Sequence, residues 1–284
     1  MLRMTDLFPP YEPGDEPRRR RFQPVPLRVL LPNLVTLLSL CAGLTAMRLA
    51  IEGDDKLDRA VVFILIAAVL DGLDGRIARL LKGTSRFGAE LDSLADFVSF
   101  GVAPAMILYT YSLHNIPSLG WLVALAFAMA AALRLARFNV MIDDPMRPDW
   151  QKNFFVGIPA PAGALAGLLP IYIHLVGIDR PAGFVVLEAV YALFIALMMV
   201  SRIPTYAGKT LGSRVPREWA IPLLLAVALF ITLLVIHTFL LLLVITLVYL
   251  ALIPLGVSRY RARERAEARG KALQPTPAPE AGEI

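Results

Sequence analysis

The chain has 284 residues, of which 57% are hydrophobic, with a mean hydropathy of +0.64 and a net charge of +5. Apolar runs this long and numerous exclude an ordinary soluble domain and define an integral membrane protein. The basic excess therefore suits anionic lipid at cytoplasmic loops, with no nucleic acid expected as a partner.

Residues 1–27 are rich in Pro and Arg, lack an apolar leader, and end near the basic cluster Arg18–Arg21. They read as a disordered, lipid-facing cytoplasmic arm with no cleavable signal. Eight apolar stretches follow, at 29–50, 60–80, 88–111, 119–139, 158–177, 184–201, 218–236 and 238–257. Each can cross a hydrocarbon layer of roughly 30 Å, so an all-α, polytopic membrane helix bundle of about eight spans is predicted. The very short connection at Ile236 and His237 predicts a tight hairpin for the last two spans, and 258–284 reads as a basic, then disordered, cytoplasmic tail.

With the N-terminus inside, 24 of the 28 Lys and Arg fall on the cytoplasmic side, leaving Arg48, Lys56, Arg59 and Arg180 outside. That asymmetry predicts both termini and the 80–87 connection in the cytoplasm. His114, His174 and His237 lie at or near outer ends, and Trp121, Trp150 and Trp219 sit near span ends as interfacial residues. The single cysteine, Cys41, lies in an apolar run and is expected as a small core residue, which excludes an intramolecular disulfide or a cysteine metal cluster.

One stretch does not fit lipid-facing helix. Between Asp71 and Asp96 the chain reads DGLDGRIAR, LLKGTSRF and GAELDSLAD. Charged groups at membrane depth are costly and mark function. With helical rise, Asp71 lies about 18 Å from the outer start of its span, and Asp92 and Asp96 lie about 6 and 12 Å deep from the cytoplasmic side. Asp71/Asp74 are spaced i,i+3 and Asp92/Asp96 i,i+4, so each pair shares a helix face and the two pairs reach matching depths. Four carboxylates so placed would repel one another, and divalent cations remove that conflict. Two Mg²⁺ or Mn²⁺ ions bridged by shared carboxylates form a clamp suited to phosphoryl chemistry. Gly75, Ala78 and Gly88 allow close approach of a backbone or a flat base, the plainer account being helix packing alone. Arg79 can pair with phosphate at the rim, and Thr84 and Ser85 offer hydroxyls to the same anion.

The run Asp71-x2-Asp74-Gly75-x2-Ala78-Arg79-x8-Gly88-x3-Asp92-x3-Asp96 resembles the full signature of the CDP-alcohol phosphotransferases. The resemblance implies a six-helix catalytic core, here within 28–205, with 206–257 as an additional transmembrane hairpin. It implies transfer of a phosphatidyl group from CDP-diacylglycerol to an alcohol with release of CMP. The stretches at 92–105, 133–140, 157–164 and 199–205 are similar to the bacterial integral-membrane branch whose acceptor is L-serine. Carried onto this chain, Asp71, Asp74, Asp92 and Asp96 would hold two divalent ions, and Asp96 would also take the hydroxyl proton. Gly75, Ala78, Arg79, Ser85 and Gly88 would line the nucleotide pocket. Pro32-Asn33 and Thr36 match the family's first span, so Asn33 would touch the nucleotide end of the lipid, its alternative role being a helix N-cap.

Arg134, Arg137 and Asn139 end the fourth span on the same face and are candidates for the serine carboxylate, the arginines through a bidentate fork or, alternatively, as interfacial anchors. Arg202 is a further candidate, and Asn33 and Ser99 could read the ammonium group. Similar proteins are commonly homodimers, although no interface signal stands out here. Among alternatives, a cation or proton transporter would spread its carboxylates across several spans, and no internal repeat supports one. A metal-dependent prenyltransferase would leave the Gly88–Asp96 half unexplained. Within the family, glycerol 3-phosphate or inositol phosphate acceptors call for a denser cationic pocket.

Overall fold

The computed structural model describes residues 27–142, 154–178, 181, 183–201, 203–206 and 217–272. Its helices are α1 (Leu27–Glu52), α2 (Leu57–Leu80), α3 (Arg86–Phe97), α4 (Ala103–Tyr111), α5 (Pro117–Ile142), α6 (Ala160–Gly167), α7 (Leu169–Leu175), α8 (Phe184–Val200), α9 (Ala220–Ile236) and α10 (Thr238–Ala272). Two three-residue strands, β1 (Phe154–Val156) and β2 (Pro204–Tyr206), pair antiparallel with Phe155 opposite Thr205. The protein is an all-α membrane bundle. Segments 27–52, 86–111, 117–141 and 238–258 are each long and apolar enough to cross a membrane, and α8 and α9 are shorter apolar helices.

Helix α1 explains how the bundle closes. Its buried positions are Pro32, Thr36, Ser39, Ala42, Gly43, Ala46 and Ala50, a stripe of small residues at spacings of three and four. Small side chains let membrane helices approach closely, and α1 packs along α2 and against α3 and α4. Ser39 Oγ donates to Ala67 O of α2 at 2.9 Å, and Ser99 Oγ donates to Ser39 O at 3.3 Å, so hydroxyls tie three helices across the stripe. Cys41 falls off the stripe and is exposed, against the expectation of a core residue. Asn33 lies inside α1, which begins at Leu27, so it is not an N-cap.

The third and fifth predicted spans are both broken. Between α3 and α4, Val98–Val102 forms a π-helical turn, and the Ala103 N–H donates to Val98 O five residues back. Pro104 follows and has no N–H to give, which favours the wider turn at this point. Pro170 similarly accompanies the break between α6 and α7. At Gly157, φ is +74° and an added Cβ would meet backbone oxygens of Met199 and Ser201, so this loop closes onto the end of α8.

The apolar core fills the bundle from the α1–α2 turn toward the acidic stretch. One cluster includes Ala46, Leu57, Ile64, Ile107, Leu168 and Tyr172, and the next includes Ala67, Phe100, Leu135 and Ala164. The α10 helix joins the bundle through buried Leu242 and Thr246, whereas no described position of α9 is buried. Trp121 and Trp219 are exposed, as are His114, His174 and His237. Trp150, Arg180 and Arg202 lie outside the described residues.

Close approach at Gly43 makes a specific demand. A Cβ there would sit 2.8 Å from Ser99 Cα, a backbone atom that cannot swing aside. Gly43→Ala should lower stability by about 1–3 kcal/mol, the scale of core overpacking. The thermal midpoint of detergent-solubilised protein checks this, with a fall of several degrees expected.

Candidate active site

The inward face of α2 runs through Leu57, Ala60, Val61, Ile64 and Ala67, all buried. Asp71 and Asp74 continue the same face at spacings of four and three. The stripe that packs the helix thus changes from apolar to acidic without changing direction, which aims both carboxylates into the bundle. On the neighbouring α3, Ser85 is the N-cap, its Oγ accepting from the Gly88 N–H at 3.0 Å, and the face that starts there carries Asp92 and Asp96.

These two faces meet. Carboxylate oxygens of Asp71, Asp74 and Asp92 all lie within 4.8 Å of one another. Asp96 contacts Asp71 through their side chains. Thr36 Oγ1 of α1 donates to Asp74 Oδ2 at 2.7 Å, fixing that carboxylate from a third helix. Sequence reasoning assigned Thr36 no role; its signal was its place one turn after Pro32-Asn33, on the small-residue stripe. An all-oxygen donor set this tight suits a hard divalent cation, because bringing these carboxylates together without one leaves their repulsion uncompensated.

A cavity of about 490 Å³ opens on one side of the acids. Its lining includes Asn33, Asp74, Gly75, Ala78, Arg79, Thr84, Ser85, Gly88 and Asp92. All six residues expected at the nucleotide pocket therefore border a single space. Two features keep that space open. Gly88 sits where a Cβ would come 2.8 Å from Asn33 Oδ1 and 3.1 Å from Ser85 Oγ. Gly83 lies so close to the Arg28 carbonyl that no side chain would fit, which pins the α2–α3 connection to the start of α1.

On the other side, one helical turn further from the cavity, lie Asp71 and Asp96. Arg134 of α5 lies within electrostatic reach of both. It is only 8% exposed, a low value for an arginine, and its guanidinium stacks 5.1 Å from the centre of the Phe138 ring. The ion pairs among the described residues are Arg48–Glu52 and Lys56–Glu52 at the opposite end of α1, so Arg134 keeps donors for an incoming anion. The other two residues proposed for the acceptor point elsewhere. Arg137 Nη1 donates to Val200 O at 2.6 Å, capping the end of α8, and Asn139 Nδ2 donates to Ser93 Oγ at 2.9 Å on the exposed surface. Ser99 is fully buried and committed to Ser39.

The fold and the acid cluster together define a membrane enzyme of phosphoryl transfer, and the family can be stated. The pattern described as CDP-alcohol phosphatidyltransferase matches residues 29–200, and a second, CDP-alcohol phosphatidyltransferase 2, matches residues 218–254. The chain belongs to the CDP-alcohol phosphatidyltransferase family. Among its relatives, the CDP-diacylglycerol–serine O-phosphatidyltransferase of Mycobacterium leprae (strain TN) is 42% identical over 86% of this chain and 79% of its own length. The Mycobacterium tuberculosis (strain ATCC 25618 / H37Rv) protein of the same name is 42% identical over 82% of this chain and 79% of its own. The one from Methanocaldococcus jannaschii (strain ATCC 43067 / DSM 2661 / JAL-1 / JCM 10045 / NBRC 100440) is 35% identical over 64% and 77%.

If Thr36 fixes a cation-binding carboxylate, Thr36→Val should weaken divalent-cation affinity by about tenfold or more, the usual effect of losing a hydrogen bond to a ligand. Mn²⁺ titration followed by electron paramagnetic resonance reads this directly.

Proposed function

We propose that the chain transfers the phosphatidyl group of CDP-diacylglycerol to the hydroxyl of L-serine, releasing CMP, with the active site facing the cytoplasm of a bacterial inner membrane. The observation that carries this reading is the two-sided site. A small-residue cavity fit for a nucleotide lies on one side of the acid cluster, and a buried arginine lies on the other. The relatives' names support the substrates, and the 24-to-4 distribution of basic residues supports the orientation.

Asn33, Gly75, Ala78, Ser85 and Gly88 would receive the cytidine end, and Arg79 at the rim would pair with phosphate. Two divalent cations, Mg²⁺ or Mn²⁺, held by Asp71, Asp74, Asp92 and Asp96, would neutralise the pyrophosphate and stabilise the departing CMP. Asp96 lies beside Arg134 and on the side away from the cavity, where an acceptor can approach the lipid-bearing phosphorus in line. Asp96 accepts the proton of the serine hydroxyl. The serine oxygen then bonds to that phosphorus as its bond to the CMP oxygen breaks. Arg134 pairs with the serine carboxylate, holding the hydroxyl toward Asp96. Arg137 and Asn139 act instead by tying α5 to α8 and α3, so their contribution to the acceptor is indirect. A homodimer, common in similar proteins, belongs to the same proposal.

An acceptor panel tests the reaction: purified protein, CDP-diacylglycerol and Mn²⁺ or Mg²⁺, with CMP release measured for each alcohol. Release with serine is expected, and release with glycerol 3-phosphate or inositol phosphate but not serine would overturn the acceptor assignment. Asp96→Asn should lower kcat by about 10²–10⁴-fold, the range for a lost general base, while CDP-diacylglycerol still binds. An undiminished kcat excludes Asp96 as the base. Arg134→Gln should raise the serine KM by about tenfold or more, in line with a lost charge-assisted hydrogen bond. Its effect on CDP-diacylglycerol affinity should be smaller.

A further inference from the structure

We propose that the start of α1 and the α2–α3 connection form a threshold for lipid entry, where Arg28, Lys82 and Arg86 gather anionic phospholipid headgroups from the bilayer at the mouth of the cavity. The inference rests on the reading of that cavity as the CDP-diacylglycerol pocket and says how the lipid reaches it.

Gly83 packs against the Arg28 carbonyl, so the two segments share one edge. Gly83 and Thr84 of the same connection border the cavity, as does Arg79 four residues before Gly83. Arg28, Lys82 and Arg86 are all exposed. The ion pairs among the described residues involve Arg48, Glu52 and Lys56 at the other end of α1, so no carboxylate pairs with these three cations. The acid nearest in sequence outside the catalytic cluster is Glu90, itself exposed and one turn beyond Arg86. Interleaved with the cations are Leu27, Leu80 and Phe87, which are 72%, 83% and 70% exposed. Cations beside bare apolar side chains suit the headgroup boundary of a bilayer, the former pairing with phosphate and the latter entering the acyl region.

Two of the cations stand where local structure disfavours them. Helix α2 ends with the Gly83 N–H donating to Ala78 O at 3.0 Å and the Lys82 N–H donating to Arg79 O at 3.3 Å. That is a Schellman closure, and its left-handed position is usually glycine. Here it is Lys82, with φ of +49°, the one non-glycine residue with positive φ among those described. Arg86 opens α3, whose first turn carries no acid, so its charge meets the positive end of the helix dipole. Neither residue helps the turn or the helix that holds it. An anionic headgroup at this edge offsets both costs, and Arg79 then continues the line of positive charge from the rim to the cavity.

The test reads lipid selectivity apart from turnover. Full-length protein in phosphatidylcholine nanodiscs is given spin-labelled phosphatidylglycerol or spin-labelled phosphatidylcholine, and the immobilised fraction of each is measured by electron paramagnetic resonance. The unsubstituted protein should prefer the anionic probe, and added salt should weaken that preference. Lys82→Gly should lower the preference by about fivefold, the effect of one cation near the surface. It should not lower the thermal midpoint, because glycine takes the left-handed position without strain. Arg28→Gln and Arg86→Gln should each act similarly, whereas Arg59→Gln, an exposed cation at the opposite end of α2, should change nothing. In assays, Lys82→Gly should raise the CDP-diacylglycerol KM in phosphatidylcholine bilayers, with the larger effect in KM than in kcat.

A preference that survives in the Arg28→Gln, Lys82→Gly, Arg86→Gln triple variant would overturn the proposal, as would an equal loss in Arg59→Gln. A lost preference with an unchanged CDP-diacylglycerol KM would overturn delivery to the cavity. Failure of the functional reading appears separately, as absence of CMP release from CDP-diacylglycerol by the unsubstituted protein, and the spin-label comparison then decides alone whether this edge gathers anionic lipid.

Discussion

The mutual repulsion of four carboxylates inside a membrane bundle is the constraint around which this structure is organised. Asp71, Asp74, Asp92 and Asp96 come from two helices, and nothing in the apolar core would bring them together on its own account. What brings them together is packing elsewhere. The small-residue stripe of α1 draws α2 close along its length, and the π-turn region after α3 is held to the same stripe through Ser39 and Ser99. The acids sit at the end of that packed interface, where the core stops and a polar cavity begins. Stability is supplied in one half of the bundle and used in the other.

The site also has direction. Asp74 and Asp92 border the cavity with Asn33, Gly75 and Gly88, while Asp71 and Asp96 lie beyond it with Arg134. A substrate that carries a pyrophosphate between a base and a lipid fits such an arrangement, with its leaving group on one side of the acids and its attacker on the other. Arg134, buried and stacked on the Phe138 ring, is built as a held cation rather than a loose interfacial anchor, although sequence position alone fits either.

Much of this was legible in the sequence because membrane helices announce themselves and because charged residues at depth are conspicuous. The eight apolar stretches correspond to the helical segments observed, and the residues that the family resemblance implies for a nucleotide pocket border one cavity. What escaped were features decided by contacts distant in sequence. Thr36 stands out in the sequence only as part of the first-span match with Pro32-Asn33, and its hold on Asp74 is visible only once α1 and α2 are packed. Arg137 and Arg134, three positions apart, look equivalent in the sequence; only the end of α8 and the face of α3 distinguish a carbonyl-capping arginine from one turned toward the acids. Cys41 was misjudged because an apolar run has no visible inside until its partner helix is known.

The wide turn at Val98–Val102 has a consequence for how this helix can change. A π turn accommodates one more residue than the α-helical path would need, so the two halves of the third span are set in different rotational phases. The half bearing Asp92 and Asp96 can face the acids of α2 while the half bearing Ile107 and Leu108 faces the apolar core. Loss of a single residue there would wind the span into a uniform helix and rotate one half against the other by about 100°, the angular step of one α-helical residue. The length of this turn is therefore as much a determinant of the active site as the identity of the acids it follows.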